Sequence, residues 1–331
     1  MTVADAPGRL AAAADASLRW HPQGPYNLLQ TLGTLMRGNG DPSFSSRMDG
    51  LWMAYTTADG PVTLRLTGTG TGTAAHAPEP FVDAQAWGPG STAALATVPR
   101  LLGAEDDWSG FDEPAFHATL PRMVREARRR NLAVRLPSTG RMIDCLVPTI
   151  LEQKVTVIEA RRGFRYLMYR YGSPAPAAGM ATPAGLLVRP TPEQWLRIPS
   201  WDWHKAGVGP QRSATVMRAL RSAVALERLA LLPAAEAAAK MRTIPGIGEW
   251  TAAEVVQRTH GCPDSIAVGD YHLAADVGAA LTGQRTDDAG MLALLEPWKG
   301  HRQRVVRMIG LSGFRKPTFG PRMTIQDHRR H

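Results

Sequence analysis

The stretch Met241–Asp270, MRTIPGIGEWTAAEVVQRTHGCPDSIAVGD, decides how this chain is read. Residues 233–241 and 249–260 have helical composition. Between them lies Arg242-Thr243-Ile244-Pro245-Gly246-Ile247-Gly248, too short and too rich in Gly and Pro for anything but a tight hairpin. Its glycines let the backbone turn sharply and bare N–H groups at the positive end of the second helix, an arrangement that suits an anion. Gly246, Gly248 and Thr251 are placed to offer N–H groups to a phosphate. Any αα-hairpin can carry such glycines, so the pattern alone decides little. After the second helix and the loop GCPDSIAVG, Asp270 opens the next helix, and an isolated Asp there is ordinarily an N-cap.

The chain has 331 residues, enough for a substantial core and two or three compact units. Its 38 Lys+Arg against 29 Asp+Glu give a formal net charge of +9 and an isoelectric point near 10.0, which favours an anionic partner. Cys145 and Cys262 stand far apart without a CxxC or a run of His, which argues against a disulfide framework, a zinc site or an iron–sulfur cluster. The first twenty residues lack the pattern of a signal peptide, and no stretch approaches ~18 uninterrupted apolar residues. The anionic partner is open between nucleic acid and a membrane surface, and a soluble cytoplasmic protein is expected.

The first hundred residues read as an α+β module. Residues 51–55 and 62–67 alternate as two strands around a turn, with helices over residues 26–36 and 91–102, and GTGTGTAAHAPEP from Gly68 reads as a loop or ragged strand edge. From about Asp112 the chain becomes helical. Arg122, Arg125, Arg128, Arg129 and Arg130 cluster near a helix C-terminus and read as a solvated face. Leu146, Ile150, Leu151, Val155 and Ile158 recur at helical spacing, predicting one long buried helix over residues 144–171. Residues 173–185 read as a loop. Further helices are expected over residues 191–198, 210–227, 233–241, 249–260, 270–281, 287–295 and 301–311, with a frayed basic tail, RKPTFGPRMTIQDHRRH.

The Pro-Gly-Ile-Gly hairpin followed by Val-Gly-Asp resembles the helix-hairpin-helix (HhH-GPD) DNA glycosylase superfamily. Within it the chain is most similar to the bacterial 3-methyladenine DNA glycosylase II group. The likeness extends to Arg135-Leu136-Pro137, to Ile150-Leu151-Glu152-Gln153-Lys154-Val155-Thr156-Val157, to Gly207-Val208-Gly209-Pro210-Gln211-Arg212, and to Glu296-Pro297-Trp298-Lys299-Gly300-His301-Arg302. It implies an α+β fold in which a small antiparallel-sheet domain, residues 1–111, precedes two helical subdomains. One comprises residues 112–139 and 263–331 and carries Asp270; the other, residues 140–262, carries the hairpin.

The resemblance also implies roles. The chain is expected to be a monomeric, nucleoid-associated, monofunctional DNA glycosylase acting in base excision repair on double-stranded DNA with a damaged base, an alkylated purine, with no membrane partner. The base would be flipped out of the duplex and its glycosidic bond hydrolysed with Asp270 as the catalytic carboxylate. Relatives that also cut the strand carry a lysine where Trp250 stands here, so no lyase activity is expected. Trp250, Tyr271, Glu254, His301 and Thr34 fall at base-pocket positions. Gln153 and Lys154 fall at the lesion gap, where the prototype has an apolar wedge. Gly246, Gly248, Thr251 and Arg302 would bind DNA phosphates, with Arg304, Arg307, Arg212 and Lys205 as further candidates. No cofactor is required, although backbone carbonyls of Arg242, Ile244 and Ile247 would hold a structural Na+ or K+. Thr34, Glu254 and His301 replace aromatic residues of the prototype's pocket, which keeps two alternatives open: a glycosylase for deaminated or oxidised bases, or a non-catalytic helix-hairpin-helix DNA-binding protein.

Overall fold

The computed structural model describes residues 13–69, 79–179 and 181–316. The basic tail from Pro317 onward and most of the glycine-threonine loop after Thr69 lie outside them. An antiparallel sheet is built from β1 (Ala16–Trp20), β2 (Phe44–Arg47), β3 (Gly50–Thr57), β4 (Gly60–Thr69) and β5 (Phe81–Trp87), in the order β1-β5-β4-β3-β2. β3 and β4 are the expected pair of strands; β1, β2 and β5 were not anticipated from the sequence. β3 is buried on both faces, so it lacks the period of a half-exposed strand. Leu51, Met53 and Tyr55 face the helix Ser91–Leu101, while Trp52 and Ala54 face the opposite way.

What covers that second face is the segment read as a plain loop. Ser173–Pro174 (β6) pairs with Leu187–Val188 (β7), and Ala178, Ala181, Leu186 and Val188 pack with Trp52 and Trp87, whose rings stack at 5.7 Å. The Thr63 hydroxyl donates to Pro176 O at 2.6 Å and Leu187 N–H to Pro42 O at 2.7 Å. The segment thus straps the helical part of the chain to the sheet.

The long helix expected over residues 144–171 is two helices, Met142–Leu151 and Val157–Tyr171. A capping box restarts the chain at Thr156, whose side chain and that of Glu159 each accept from the other's backbone N–H. The apolar spacing runs straight through this break and hides it. Met142–Leu151 is buried except at Asp144 and packs against the hairpin's second helix, Glu249–Thr259. Its first N–H groups, of Met142 and Ile143, donate to the Glu227 carboxylate, at 2.9 Å each.

Two helical cores result. One gathers Leu146, Ile150, Phe164, Trp195, Val216, Met241 and Val255; the other joins Trp108, Phe111 and Val124 to Val277, Met291, Val305 and Met308, so the two chain segments flanking the hairpin region share one core. Arg128, expected on a solvated face, is buried. It makes a two-pronged pair with Asp112 at 2.9 and 2.6 Å and lies over Trp108, 4.1 Å from the ring centre. The arginine run conceals this partner because Asp112 is sixteen residues away.

Candidate functional site

The hairpin forms between Ala234–Met241 and Glu249–Thr259. Gly246 has φ +96°, and a Cβ there would lie 2.3 Å from the Thr215 hydroxyl, so both backbone conformation and space demand glycine. Gly248 occupies the N-cap position with no side-chain cap, which leaves the first-turn N–H groups facing outward for an external acceptor. Arg242 and Glu249 clasp the turn by an ion pair at 2.8 Å, and the Arg218 guanidinium donates to Pro245 O. Gln153 reaches over from the break between the two helices. Its amide donates to Gly246 O at 3.0 Å and to the Thr251 hydroxyl at 2.8 Å, joining this inter-helix segment to the hairpin. Thr251 itself is buried, so its side chain serves this joint.

Asp270 stands where the next helix, Leu273–Thr282, begins. Its Oδ1 accepts from the N–H groups of His272 at 2.8 Å and Leu273 at 2.9 Å, and its Oδ2 accepts from Trp250 Nε1 at 3.2 Å. The carboxylate therefore both holds the backbone that leads into this helix and partners Trp250, the second residue beyond the hairpin turn. An N-cap alone would need one oxygen; the second is held by a tryptophan twenty residues away. A fixed negative charge with restricted rotation is suited to stabilising a nearby cationic centre.

The remaining pocket positions divide. Glu254 lies one turn beyond Trp250 on the same helix and pairs with Arg258 at 2.7 Å. Arg258 Nε in turn donates to Thr34 O at 3.3 Å, so Thr34, Glu254 and Trp250 lie along one connected wall. Of the roles open to Glu254 in the sequence, pairing with a cationic base, accepting from an exocyclic amine or binding a nearby arginine, the last is the one seen, as its i,i+4 spacing from Arg258 signals. Behind this wall Arg37 Nη1 pairs with Glu152 at 2.8 Å and Nη2 donates to the Thr149 hydroxyl at 3.0 Å. A cavity of about 30 Å3 lies between Arg37, Arg258 and Cys145 and the sheet residues Phe44 and Tyr55.

His301 joins a different group. Its ring lies 4.9 Å from Phe116 and 5.7 Å from Phe111, Nδ1 meets Arg304 Nη1 at 2.9 Å, and burial, helped by Arg304, pulls its pKa down. Tyr271, expected to line the pocket, is 81% exposed, with its ring against His272. Arg302, expected on a phosphate, makes a two-pronged pair with Asp264 at 2.8 and 2.6 Å; the same carboxylate caps Gly300 and Arg302 N–H. Burial would raise the Asp264 pKa, but these bonds hold it below the usual carboxylate value. Arg304 is likewise buried on Asp106, Arg307 donates to Gln30 O, and Arg212 donates to Leu151 O and Gly207 O. Basic residues near a helix start thus proved to be internal fasteners. Lys154 is exposed with φ +54°, the sole non-glycine in the left-handed region among the described residues.

No protein-family model matches the chain, and no curated protein is similar to it in sequence. Solved structures are similar in shape. A 3-methyladenine DNA glycosylase from Archaeoglobus fulgidus superposes with a TM-score of 0.70 at 14% identity, over 90% of this chain and 99% of that one. The 8-oxoguanine glycosylase/lyase of Clostridium acetobutylicum, in its apo form, gives 0.63 at 9% identity over 92% and 99%. MBOgg1 in complex with a low-affinity DNA ligand gives 0.62 at 14% identity over 91% and 97%. The fold is that of the helix-hairpin-helix DNA glycosylases.

Within this glycosylase fold the backbone carbonyls of Arg242, Ile244 and Ile247 are the group to test for a monovalent cation. Ile244 O accepts Ile247 N–H at 3.0 Å, which leaves it a second lone pair, so the turn retains oxygens able to face an ion. Among the described residues no cluster of three or more His, Cys, Asp or Glu side chains is arranged to hold a metal. Nor is any described helix long and apolar enough to cross a membrane.

Proposed function

We propose that the chain is a monofunctional DNA glycosylase that removes a damaged base from double-stranded DNA. The observation that carries this reading is the Asp270 carboxylate, clamped by Trp250 Nε1 and two backbone N–H groups one loop beyond a phosphate-binding hairpin. A protein that only gripped the backbone would need the hairpin glycines but neither Asp270 nor its link to Trp250.

In this reading the N–H groups at Gly248 and the following turn bind a phosphate, Lys154 occupies the lesion gap, and the damaged nucleotide rotates toward Trp250. The C1′–N bond breaks with its electron pair leaving on the base. Asp270 stabilises the oxocarbenium character at C1′ and orients the water that adds there, whose proton it accepts. The products are the free base and an abasic site in an intact strand. Trp250 has no amine to attack C1′, so no Schiff base forms. An N-alkylated purine is already cationic while bonded to the sugar and leaves as a neutral base, so it needs no strong general acid, which makes it the first substrate class to examine. The Glu254–Arg258 pair favours a second reading within the same activity: its charges cancel, so this wall suits a neutral deaminated or oxidised base read by hydrogen bonds.

The test is a panel of duplexes, each with one alkylated, deaminated or oxidised base, treated with the protein and then with alkali. Base release is expected from at least one, with strand breaks only after alkali. Release from none, alongside tight duplex binding, would support the non-catalytic alternative. A monomer that carries at most a structural Na+ or K+ at the hairpin completes the proposal.

A further inference from the structure

Between β2 and the helix before it, the N-terminal domain carries the loop Arg37-Gly38-Asn39-Gly40-Asp41, to which no role has been assigned so far. It is built rigidly. Asp41 accepts from Arg37 N–H at 2.9 Å and from the N–H and hydroxyl of Ser43 at 2.9 and 2.8 Å, and its own N–H donates to Gly38 O at 3.2 Å. Gly38 and Gly40 have φ of +83° and +87°, so the exposed Asn39 is held at the tip between two left-handed residues.

The loop is docked against the lesion-gap segment. The buried Arg37–Glu152 pair fixes its root two residues from Lys154. Its tip lies on the first turns of the helix Val157–Tyr171: the Arg161 guanidinium lies so close under Gly38 that a Cβ there would be 2.6 Å from Nη1, and Arg165 lies beside Gly40. Two features from different domains therefore flank one helix start, Lys154 in a left-handed conformation that costs about 1–2 kcal/mol, and the Gly-Asn-Gly tip. Among the described residues neither the Lys154 nor the Asn39 side chain has a partner within the chain. Strain retained at an exposed, unpartnered residue points to use by something outside the chain.

We infer that Asn39 reads the strand opposite the damaged base, beside Lys154; this rests on the DNA glycosylase reading of the site. An asparagine amide presents a donor and an acceptor side by side, the pairing that reads a base edge, whereas Lys154 supplies charge, and Arg161 and Arg165 are laid against the loop's glycines. A loop held by an internal ion pair and two glycines loses little freedom on engaging the duplex.

The experiment compares wild type, Asn39→Ala and Lys154→Ala on duplexes in which one abasic site, or one excised lesion, faces each of the four bases in turn. Wild type is expected to show a spread in affinity of roughly tenfold or more across the four, the scale of one good base-edge contact. Asn39→Ala collapses this spread to within about twofold while the weakest pairing is unchanged, and Lys154→Ala weakens all four together. A wild type indifferent to the opposite base, or an Asn39→Ala variant that keeps the full spread, overturns the inference. Asn39 is exposed, so its replacement leaves folding intact. Because abasic duplexes report binding without chemistry, a protein that releases no base still tests Asn39, and that outcome counts against the catalytic reading alone.

Discussion

At the scale of single residues, the proposed chemistry rests on how one carboxylate is held. Oδ1 of Asp270 takes two backbone N–H groups, and Oδ2 takes the indole of Trp250. Trp250→Phe keeps the ring but removes the N–H, so Oδ2 is left free to rotate water into place less well. Its rate of base release is expected to fall by roughly tenfold to a hundredfold with duplex affinity unchanged, as measured in single-turnover assays. Lys154 makes the opposite trade. Replacing it by glycine relieves the left-handed strain, so thermal stability rises by about 1 kcal/mol, while affinity for a lesion duplex falls; calorimetry and binding on one preparation check both directions.

At the scale of elements, the hairpin and the broken helix matter most. Gly246→Ala puts a methyl group against Thr215 and a side chain at φ +96°. The turn should open at a cost of roughly 1–3 kcal/mol, and DNA affinity should drop even for undamaged duplex, which a salt-dependence series would show as a shallower slope. This hairpin was legible from the sequence because its glycines and its spacing to Asp270 are local. The residues that tie elements together were not. Arg302, Arg304 and Arg212 look like surface cations in the chain, yet each is spent on Asp264, Asp106 or carbonyls of a neighbouring element. The apolar rhythm through residues 146–158 conceals the break that exposes Lys154, since a capping box interrupts the backbone without interrupting the pattern. The Glu254–Arg258 pair is legible from its i,i+4 spacing, whereas the second pair behind it, Arg37–Glu152, needed the assembled fold.

At the scale of the whole molecule, the N-terminal sheet is a structural partner of the site. The strap over residues 173–188 covers its outer face, and Arg37 ties its loop to the lesion-gap segment. Arg37→Ala strands the Glu152 carboxylate and should cost about 3–5 kcal/mol, much of it recovered in the double variant with Glu152→Ala. Acid should loosen the molecule as well. Burial holds the His260 and His301 pKa values below the ordinary value of 6.5. The unfolded chain then takes up these protons first, so stability is complete above that pH and is lost as pH falls below it. The melting temperature is expected to drop between about pH 7 and about pH 5.5, and less in His260→Gln. All of this scaffolding serves one claim, that Asp270 acts on the sugar of a flipped nucleotide. The most direct measurement compares wild type with Asp270→Asn on the lesion duplex that wild type cleaves best, reading base release and duplex affinity together. Asn keeps the oxygen that caps the helix, so the account predicts binding within about threefold of wild type and base release reduced by at least roughly a thousandfold. Equal base release by the two proteins would contradict it.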